Sequence, residues 1–303
     1  MKPERTVIKP PQWMLAFLLL GMGLAGLYHA WVARHHLDHT AALFIGIPTI
    51  LAVVLALTPR LKTTAAMILK GMTIALLMSA VFLREGFICI LMSSPLFYAV
   101  GLAISSGIDF IRKKKEPPQG TLYAVGFLSL FALMSLEGAT EELSFPRNYQ
   151  VTVEKIISAP PEAVRAKLAE RPIFNRPFPL YFHLGFPLPV ATTGEGLSVG
   201  DHRQIRWAGG RAVPGDLVLG IVESAPGRVR FGIEKDESYL THWLNWTDSL
   251  VEWQAMGDGQ TRVRWTLGYR RRLDPAWYFG PWEQYAVRLA AEVLIDNLAT
   301  PDD

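Results

Sequence analysis

The residues able to do chemistry are few, and their spacing narrows what they can do. His35 and His39 stand four apart. One helical face would present both, with Asp38 nearby, as two ligands of a metal site. No partner cluster of Cys, His or acid accompanies them. The stretch Arg34–His39 reads equally as a polar interfacial loop, and neither a metal nor a cofactor is expected. Farther on, His183 lies among prolines and phenylalanines, and His242 lies beside Tyr239, Trp243 and Trp246. With Asp248 and Tyr269 these are the groups an acid–base reaction would draw on. None is assigned as catalytic. There is no Gly-x-Ser-x-Gly turn for a nucleophile. Gly194, Gly196 and Gly200 read as turn and strand-entry residues, not as a phosphate-binding loop. The lone cysteine, Cys89, sits in an apolar run, so no disulfide framework exists.

The stronger signal is aromatic. Seven of the nine tryptophans fall after residue 148. Trp207, Phe231, Trp265, Tyr269, Trp282 and Tyr285 are expected to point between a sheet and a helix. Aromatic walls with few polar groups line pockets for bulky apolar ligands. The same side chains would also serve as a filled core. Tyr239–Trp246 has a second reading, as a loop resting on a membrane interface, where tryptophan is enriched.

The elements that must position these residues divide the chain in two. Half of the 303 residues are hydrophobic and 19% are charged, which excludes disorder. A net charge of +3 is too small and too scattered to argue for nucleic acid. Apolar runs near 13–33, 41–58, 65–83, 87–110 and 121–136 predict five membrane spans within residues 1–137. Residues 65–110 as one helix would reach about 69 Å, twice the bilayer, so a turn is expected at Arg84-Glu85-Gly86. Nine Lys and Arg fall beside the spans on one side and two, Arg34 and Arg84, on the other. The positive-inside rule makes the nine cytoplasmic. The N-terminus is then cytoplasmic, and five crossings put the C-terminal part outside. Lys70 is expected to snorkel from span three to the interface.

Residues 138–147 read as a linker and 148–303 as one folded domain. Tyr149, Val151 and Val153 alternate with polar residues, as do Arg203, Ile205 and Trp207, then Val229, Phe231 and Ile233. Val263, Trp265, Leu267 and Tyr269 give the cleanest period of two. An antiparallel sheet with one solvated face follows. A C-terminal helix covers the other face. Trp282, Tyr285, Ala286, Leu289, Val293 and Leu294 recur at helical spacing for its inner side; Glu283, Gln284, Arg288, Glu292 and Asp296 take the outer side.

This order, with the opening Val151–Val164, the segment Gly194–Arg203 leading to Trp207, and Gly259–Val263 leading to Tyr269 and Leu273-Asp274-Pro275, resembles the START-like superfamily. That superfamily is also called SRPBCC or polyketide-cyclase/dehydrase-like. The resemblance covers about 150 residues. It implies an α+β helix-grip fold, a curved antiparallel sheet wrapped on a long C-terminal helix, joined to the helical membrane domain. The membrane half is similar to the anchors of bacterial multi-span members, mainly at Arg84–Met92 with Pro95-Leu96. Relatives bind lipids, sterols or polyketides between sheet and helix, and a few are cyclases or hydratases. The expectation is a membrane-anchored domain binding a bulky apolar ligand such as a lipid, isoprenoid or polyketide-like molecule. The alternatives are a cyclase- or hydratase-like enzyme using the same cavity, and a solid-core assembly protein.

Overall fold

The computed structural model describes residues 10–34, 45–59, 61–82, 87–112, 137, 140, 142–174, 176–209 and 212–299. The chain forms two compact units that divide between Leu133 and Met134.

The N-terminal unit contains helices α1 (Pro10–Arg34), α2 (Ile47–Leu57), α3 (Thr64–Phe82) and α4 (Phe87–Arg112). Each packs on the next, and α1 also touches α3. Leu19, Ile45, Ala52, Ala56, Met78 and Val81 form a small core. Close approach depends on a small residue: a Cβ on Gly23 would collide with the Thr49 side chain. Polar groups join helix ends. Gln12 Nε2 donates to the Thr58 carbonyl at 2.6 Å, and Lys70 Nζ donates to the same oxygen at 2.9 Å. Thr58 stands just past α2, where carbonyls lack intrahelical donors and the helix dipole is negative. Lys70 therefore ties α3 to the end of α2.

Among the described residues two helical stretches, not five, are long and apolar enough to cross a membrane: Pro10–Tyr28 and Ile90–Asp109. Only 17% and 22% of them is buried inside the protein, so their apolar surface faces outward. Of the second expected span, Ile47–Leu57 is helical, and residues 41–44 lie outside the described residues. The third expected span corresponds to α3, a helix of 19 residues. The expected fifth span and the Arg84–Gly86 turn lie outside the described residues.

The C-terminal unit is a curved seven-stranded antiparallel sheet with helices at its inner face. The elements run β1 (Asn148–Ile157), α5 (Pro161–Ala169), the single turn α6 (Leu180–His183), β2 (Leu188–Thr193), β3 (His202–Gly209), β4 (Ala212–Ala225), β5 (Arg228–Asp236), a 3₁₀ turn (Tyr239–His242), β6 (Leu244–Gly257), β7 (Gln260–Arg271) and α7 (Ala276–Leu298). The sheet order is β1-β7-β6-β5-β4-β3-β2. β2 occupies the end of a proline-rich stretch that the sequence presents as irregular. Gly194, Gly196 and Gly200 all have φ above +90°, which fits their reading as turn residues.

Register sets the inner face, because residues directly opposite each other share a side. One row runs Val151, Leu267, Ser249, Phe231, Ile221 across five strands. The next runs Tyr149, Tyr269, Trp246. Helix α7 packs on β1 and β7 with Val287, Ala291 and Ile295. Its buried stripe begins Gly280, Glu283, Val287. The first half of α7 thus departs from the inner face expected from periodicity, whereas Val293 is buried and Leu294 packs on the core as expected. Trp282 and Tyr285 are 38% and 50% exposed, while Glu283 is 4% exposed.

Arg203, 2% exposed, fixes the junction between α5 and the sheet. Its Nη2 donates to the carbonyls of Leu168 at 3.2 Å, Ala169 at 3.3 Å and Gly196. The guanidinium thus caps the C-terminus of α5 together with the Gly196 N–H, which donates to the Ala169 carbonyl at 2.7 Å. Arg203→Met is expected to cost about 2–3 kcal/mol, since buried carbonyls lose a charged donor. Denaturation of the full chain followed by tryptophan fluorescence measures this; an unchanged midpoint would show that the cap contributes nothing.

Candidate functional site

The site assembles where the inner face of the sheet meets the first half of α7. β7 alternates cleanly, so Val263, Trp265, Leu267, Tyr269 and Arg271 all face inward. A bulge between Trp246 and Asp248 resets β6. Trp246 faces inward, Asp248 outward, and Ser249 inward again. Trp265 is 7% exposed and donates its indole N–H to Ser249 Oγ at 2.8 Å. Tyr269 is fully buried, stacked on Tyr149 at 5.7 Å and edge-on to Trp246 at 6.5 Å. Phe231 is buried in the same cluster. Trp207, half-buried on β3, belongs to a row of inward residues with Arg203 and Ile205.

Among the described residues three inward polar groups lie out of contact with solvent and have no protein hydrogen-bond partner: Trp207 Nε1, Trp246 Nε1 and Tyr269 Oη. The Glu283 carboxyl is buried with them and is approached by the Leu273 amide. Burial pushes the Glu283 carboxyl up from 4.5 to about 8; the Leu273 amide, Arg271 and Arg147 oppose the shift and Asp274 adds to it. Near neutral pH Glu283 is therefore mostly a neutral acid. Burial, then the Glu283 and Tyr149 charges, raises the Tyr269 phenol above its ordinary 10.0. Tyr181 is pushed up to about 12 by burial, then by Tyr285 and Glu283.

A second aromatic group borders this region. Phe174, Phe178, Phe182 and Phe186 contact one another in succession, and Phe186 meets the Trp243 ring at 4.9 Å. Tyr181 stands edge-on to Tyr285 at 5.2 Å. The proline-rich segment is thus joined by aromatic contacts to α7 and to the 3₁₀ turn. Trp243 is 8% exposed and Leu240 is buried, so the turn directs its bulk inward and not toward a membrane interface.

Behind the site lies a charged anchor. Arg271, with no exposed side-chain surface, pairs with Glu137 at 3.0 Å and with Asp274 at 2.5 Å, and donates to the Leu273 carbonyl. Glu137 also accepts the Ala276 N–H at 3.0 Å, the first amide of α7. Arg147 holds Asp274 from the other side at 2.8 Å. These contacts set where α7 begins, and with it the position of Glu283.

The residues singled out from sequence separate accordingly. Phe231, Trp265 and Tyr269 are brought together in the interior, and Trp207 is on the same face. Trp282 and Tyr285 are on the exposed side of α7. His183 is exposed. His242 is exposed and stacked on Tyr239 at 4.3 Å. Asp248 is on the outer face, paired with Arg230 at 3.1 Å. Of the four acid–base candidates only Tyr269 reaches the interior. Glu283, which does, was placed on the solvent side by its residue type; only the Val287, Ala291, Ile295 spacing pointed the other way. His35 and His39 lie outside the described residues. No group of three metal-binding side chains occurs among the described residues. A separate open groove of about 270 Å³, beside Glu162, Arg165, Leu197 and Ser198, lies at α5 and away from this interior.

No family model matches the chain, and no curated protein matches it. Solved structures do. Protein CV1439 from Chromobacterium violaceum is 17% identical, with 50% of this chain and 98% of that one covered and a TM-score of 0.29. A START superfamily protein from Mycobacterium smegmatis is 14% identical over 50% of this chain and 94% of that one, at 0.32. A norcoclaurine synthase point mutant from Thalictrum flavum, in complex with a transition-state analogue, is 9% identical over 49% and 95%, also at 0.32. The structures similar to this chain thus include START-type helix-grip proteins, and each accounts for about half of it.

Proposed function

We propose that the C-terminal unit binds a bulky apolar ligand, such as a lipid, isoprenoid or polyketide-like molecule, between the inner face of its sheet and α7. The observation that carries this reading is the otherwise apolar, aromatic inner face on which the buried polar atoms of Trp207, Trp246 and Tyr269 meet no protein partner among the described residues. Ligand pockets have this composition. A core that served packing alone would place partners on such atoms or omit them. Helix α7 packs on β1 and β7, and Ile205, Leu217, Ile221 and Phe231 on the inner face of β3, β4 and β5 are buried as well. Native mass spectrometry of the full chain released from detergent tests the proposal. The expected result is an added mass that dissociates as a lipid-like molecule. A bare protein mass, together with an apolar dye that no lipid displaces, would overturn it.

The N-terminal unit serves as a membrane anchor in this proposal, through the outward apolar surfaces of α1 and α4. The N-terminus is cytoplasmic and the ligand-binding unit extracytoplasmic, on the distribution of Lys and Arg; this orientation requires an odd number of crossings, so a third segment crosses besides α1 and α4. Alkaline phosphatase fused at the C-terminus should be active, and a fluorescent reporter active only in the cytoplasm should stay dark there. A bright reporter refutes this orientation.

Glu283 favours a second reading, an enzyme of the cyclase or hydratase kind. A buried acid that keeps its proton near neutral pH is what general acid catalysis requires. A ligand recovered from the protein would then be converted on incubation, and Glu283→Gln would stop conversion while binding persists. A ligand returned unchanged argues against catalysis.

A further inference from the structure

The exposed aromatic side chains of the C-terminal unit are gathered at one end. Among the described residues they are Phe145, Trp277, Trp282 and Tyr285. On α7, Trp277, Pro281 and Tyr285 recur every four residues and all are exposed, with Trp282 beside them. Tyr181 stands edge-on to Tyr285, and its chain neighbour Leu180 is exposed as well. Phe145 lies between Ser144 and Arg147, whose side chains meet at 2.9 Å, and Arg147 holds Asp274 just before α7. From Arg272 to Arg288 no exposed residue is acidic, because Asp274 is half-buried in its ion pairs and Glu283 is buried. Elsewhere the exposed apolar residues Ile156, Val190, Val222 and Met256 stand one to a strand, and none is aromatic. A contiguous apolar patch with this composition marks an interaction surface.

The course of the chain says what covers this surface. The apolar run 121–136 ends immediately before Glu137. Glu137 accepts the Ala276 N–H at 3.0 Å and pairs with Arg271 at 3.0 Å. Ala276 is followed by Trp277, so the point where the apolar run ends is one hydrogen bond from the start of the aromatic stripe. We propose that this face of α7, with Trp277, Trp282 and Tyr285, rests on the headgroup region of the membrane that the chain spans. The proposal rests on the anchor reading above, with residues 121–136 in the bilayer, and is independent of any ligand. It holds for either side of the membrane. Tryptophan and tyrosine favour that region, since each ring has an apolar body and a polar tip. The exposed Arg272 and Arg288 flank the stripe, and a guanidinium suits lipid phosphates. The Arg271 cluster fastens the tether to this end of the unit, so the aromatic face is held at the membrane instead of turning freely on a linker.

The test uses the full chain in vesicles of phosphatidylcholine and phosphatidylglycerol. Cys89→Ser removes the native thiol, and a nitroxide is attached through Gln284→Cys, an exposed position between Trp282 and Tyr285. Two further labels serve as references. Leu18→Cys, on the exposed side of α1, reports the anchor. Asp258→Cys, in the turn between β6 and β7, lies about 40 Å of strand away from Arg271 and reports the opposite end. Oxygen concentrates in lipid, whereas a nickel chelate stays in water. The labels at the Gln284 and Leu18 sites should relax with oxygen and be protected from the chelate; the label at the Asp258 site should do the reverse. Replacing Trp277, Trp282 and Tyr285 by Ser should lower the ratio of docked to free label at the Gln284 site about 100-fold, the scale of half-burying three aromatic rings. An unchanged ratio overturns the role of these rings. If that variant does not fold, the label on the otherwise intact face decides alone. A Gln284 site as open to the chelate as the Asp258 site, with the Leu18 site in lipid, overturns the docking and leaves the anchor reading intact. A Gln284 site shielded from both reagents, with spin–spin broadening that unlabelled chain dilutes away, overturns it in favour of a second copy. A Leu18 site open to the chelate overturns the anchor reading and the docking together.

Discussion

Replacing Arg271 by Met is expected to lower the stability of the C-terminal unit by about 3–5 kcal/mol, the range for breaking a buried ion pair from one side. Its guanidinium has no exposed surface and holds Glu137, Asp274 and the Leu273 carbonyl. Methionine fills a similar length without a charge, so most of the loss comes from the groups left behind. Asp274 keeps Arg147 at 2.8 Å, and Glu137 keeps only the Ala276 amide at 3.0 Å. The stranded carboxylate of Glu137 should therefore account for much of the cost. A double variant, Arg271→Met with Glu137→Gln, should recover part of it, because an amide in that place needs no counter-charge. The thermal midpoint of the full chain in detergent, followed by tryptophan emission, should fall by roughly 10 °C for the single variant. A shift within about 2 °C would show that the ion-pair cluster is dispensable. Recovery no better than additive would show that Glu137 is not coupled to Arg271.

That cluster was not legible in the sequence. Glu137 and Arg271 are 134 residues apart, and nothing local marks them as partners. Much of the sheet was legible, because a half-buried strand writes its two faces as alternation. The inward series Val263, Trp265, Leu267 and Tyr269 reads directly from β7. On β6 the same rule fails between Trp246 and Asp248. The bulge there adds a residue, so two even-numbered side chains point opposite ways and Asp248 goes to the outer face.

Helix α7 misleads for a different reason. It carries apolar residues on more than one side, with Trp277, Trp282 and Tyr285 exposed, so two stripes compete in its periodicity. Residue type then breaks the tie, and a glutamate is assigned to solvent because burying an unpaired carboxyl is costly. The structure pays that penalty at Glu283. Local rules fail most often where a residue is kept for function. In the N-terminal unit, composition located α1, α3 and α4 to within three residues at each end. Gln12 and Lys70 meet at the Thr58 carbonyl, a contact that hydropathy does not announce.

The penalty at Glu283 gives the second large effect, and its sign follows from proton binding. The carboxyl is raised from 4.5 to about 8 in the folded chain, chiefly by burial. In the unfolded chain it ionises near its ordinary value. Below about pH 4.5 both states hold the proton and the shift costs nothing. Between 4.5 and 8 the folded state retains a proton that the unfolded state has released, so its share of stability falls steadily as pH rises. Above 8 both states are ionised and the loss levels off. The full difference is on the order of 5 kcal/mol, at about 1.4 kcal/mol per pH unit. Glu283→Gln keeps the shape and removes the ionisation. The variant and the wild type should therefore melt together near pH 4.5, with the variant gaining steadily to about 10 °C by pH 8.5. Tyr269 and Tyr181, already raised, hold their protons throughout this range, so neither obscures the trend. A gap between variant and wild type that does not change with pH would mean that Glu283 titrates normally and is not the buried acid of the site.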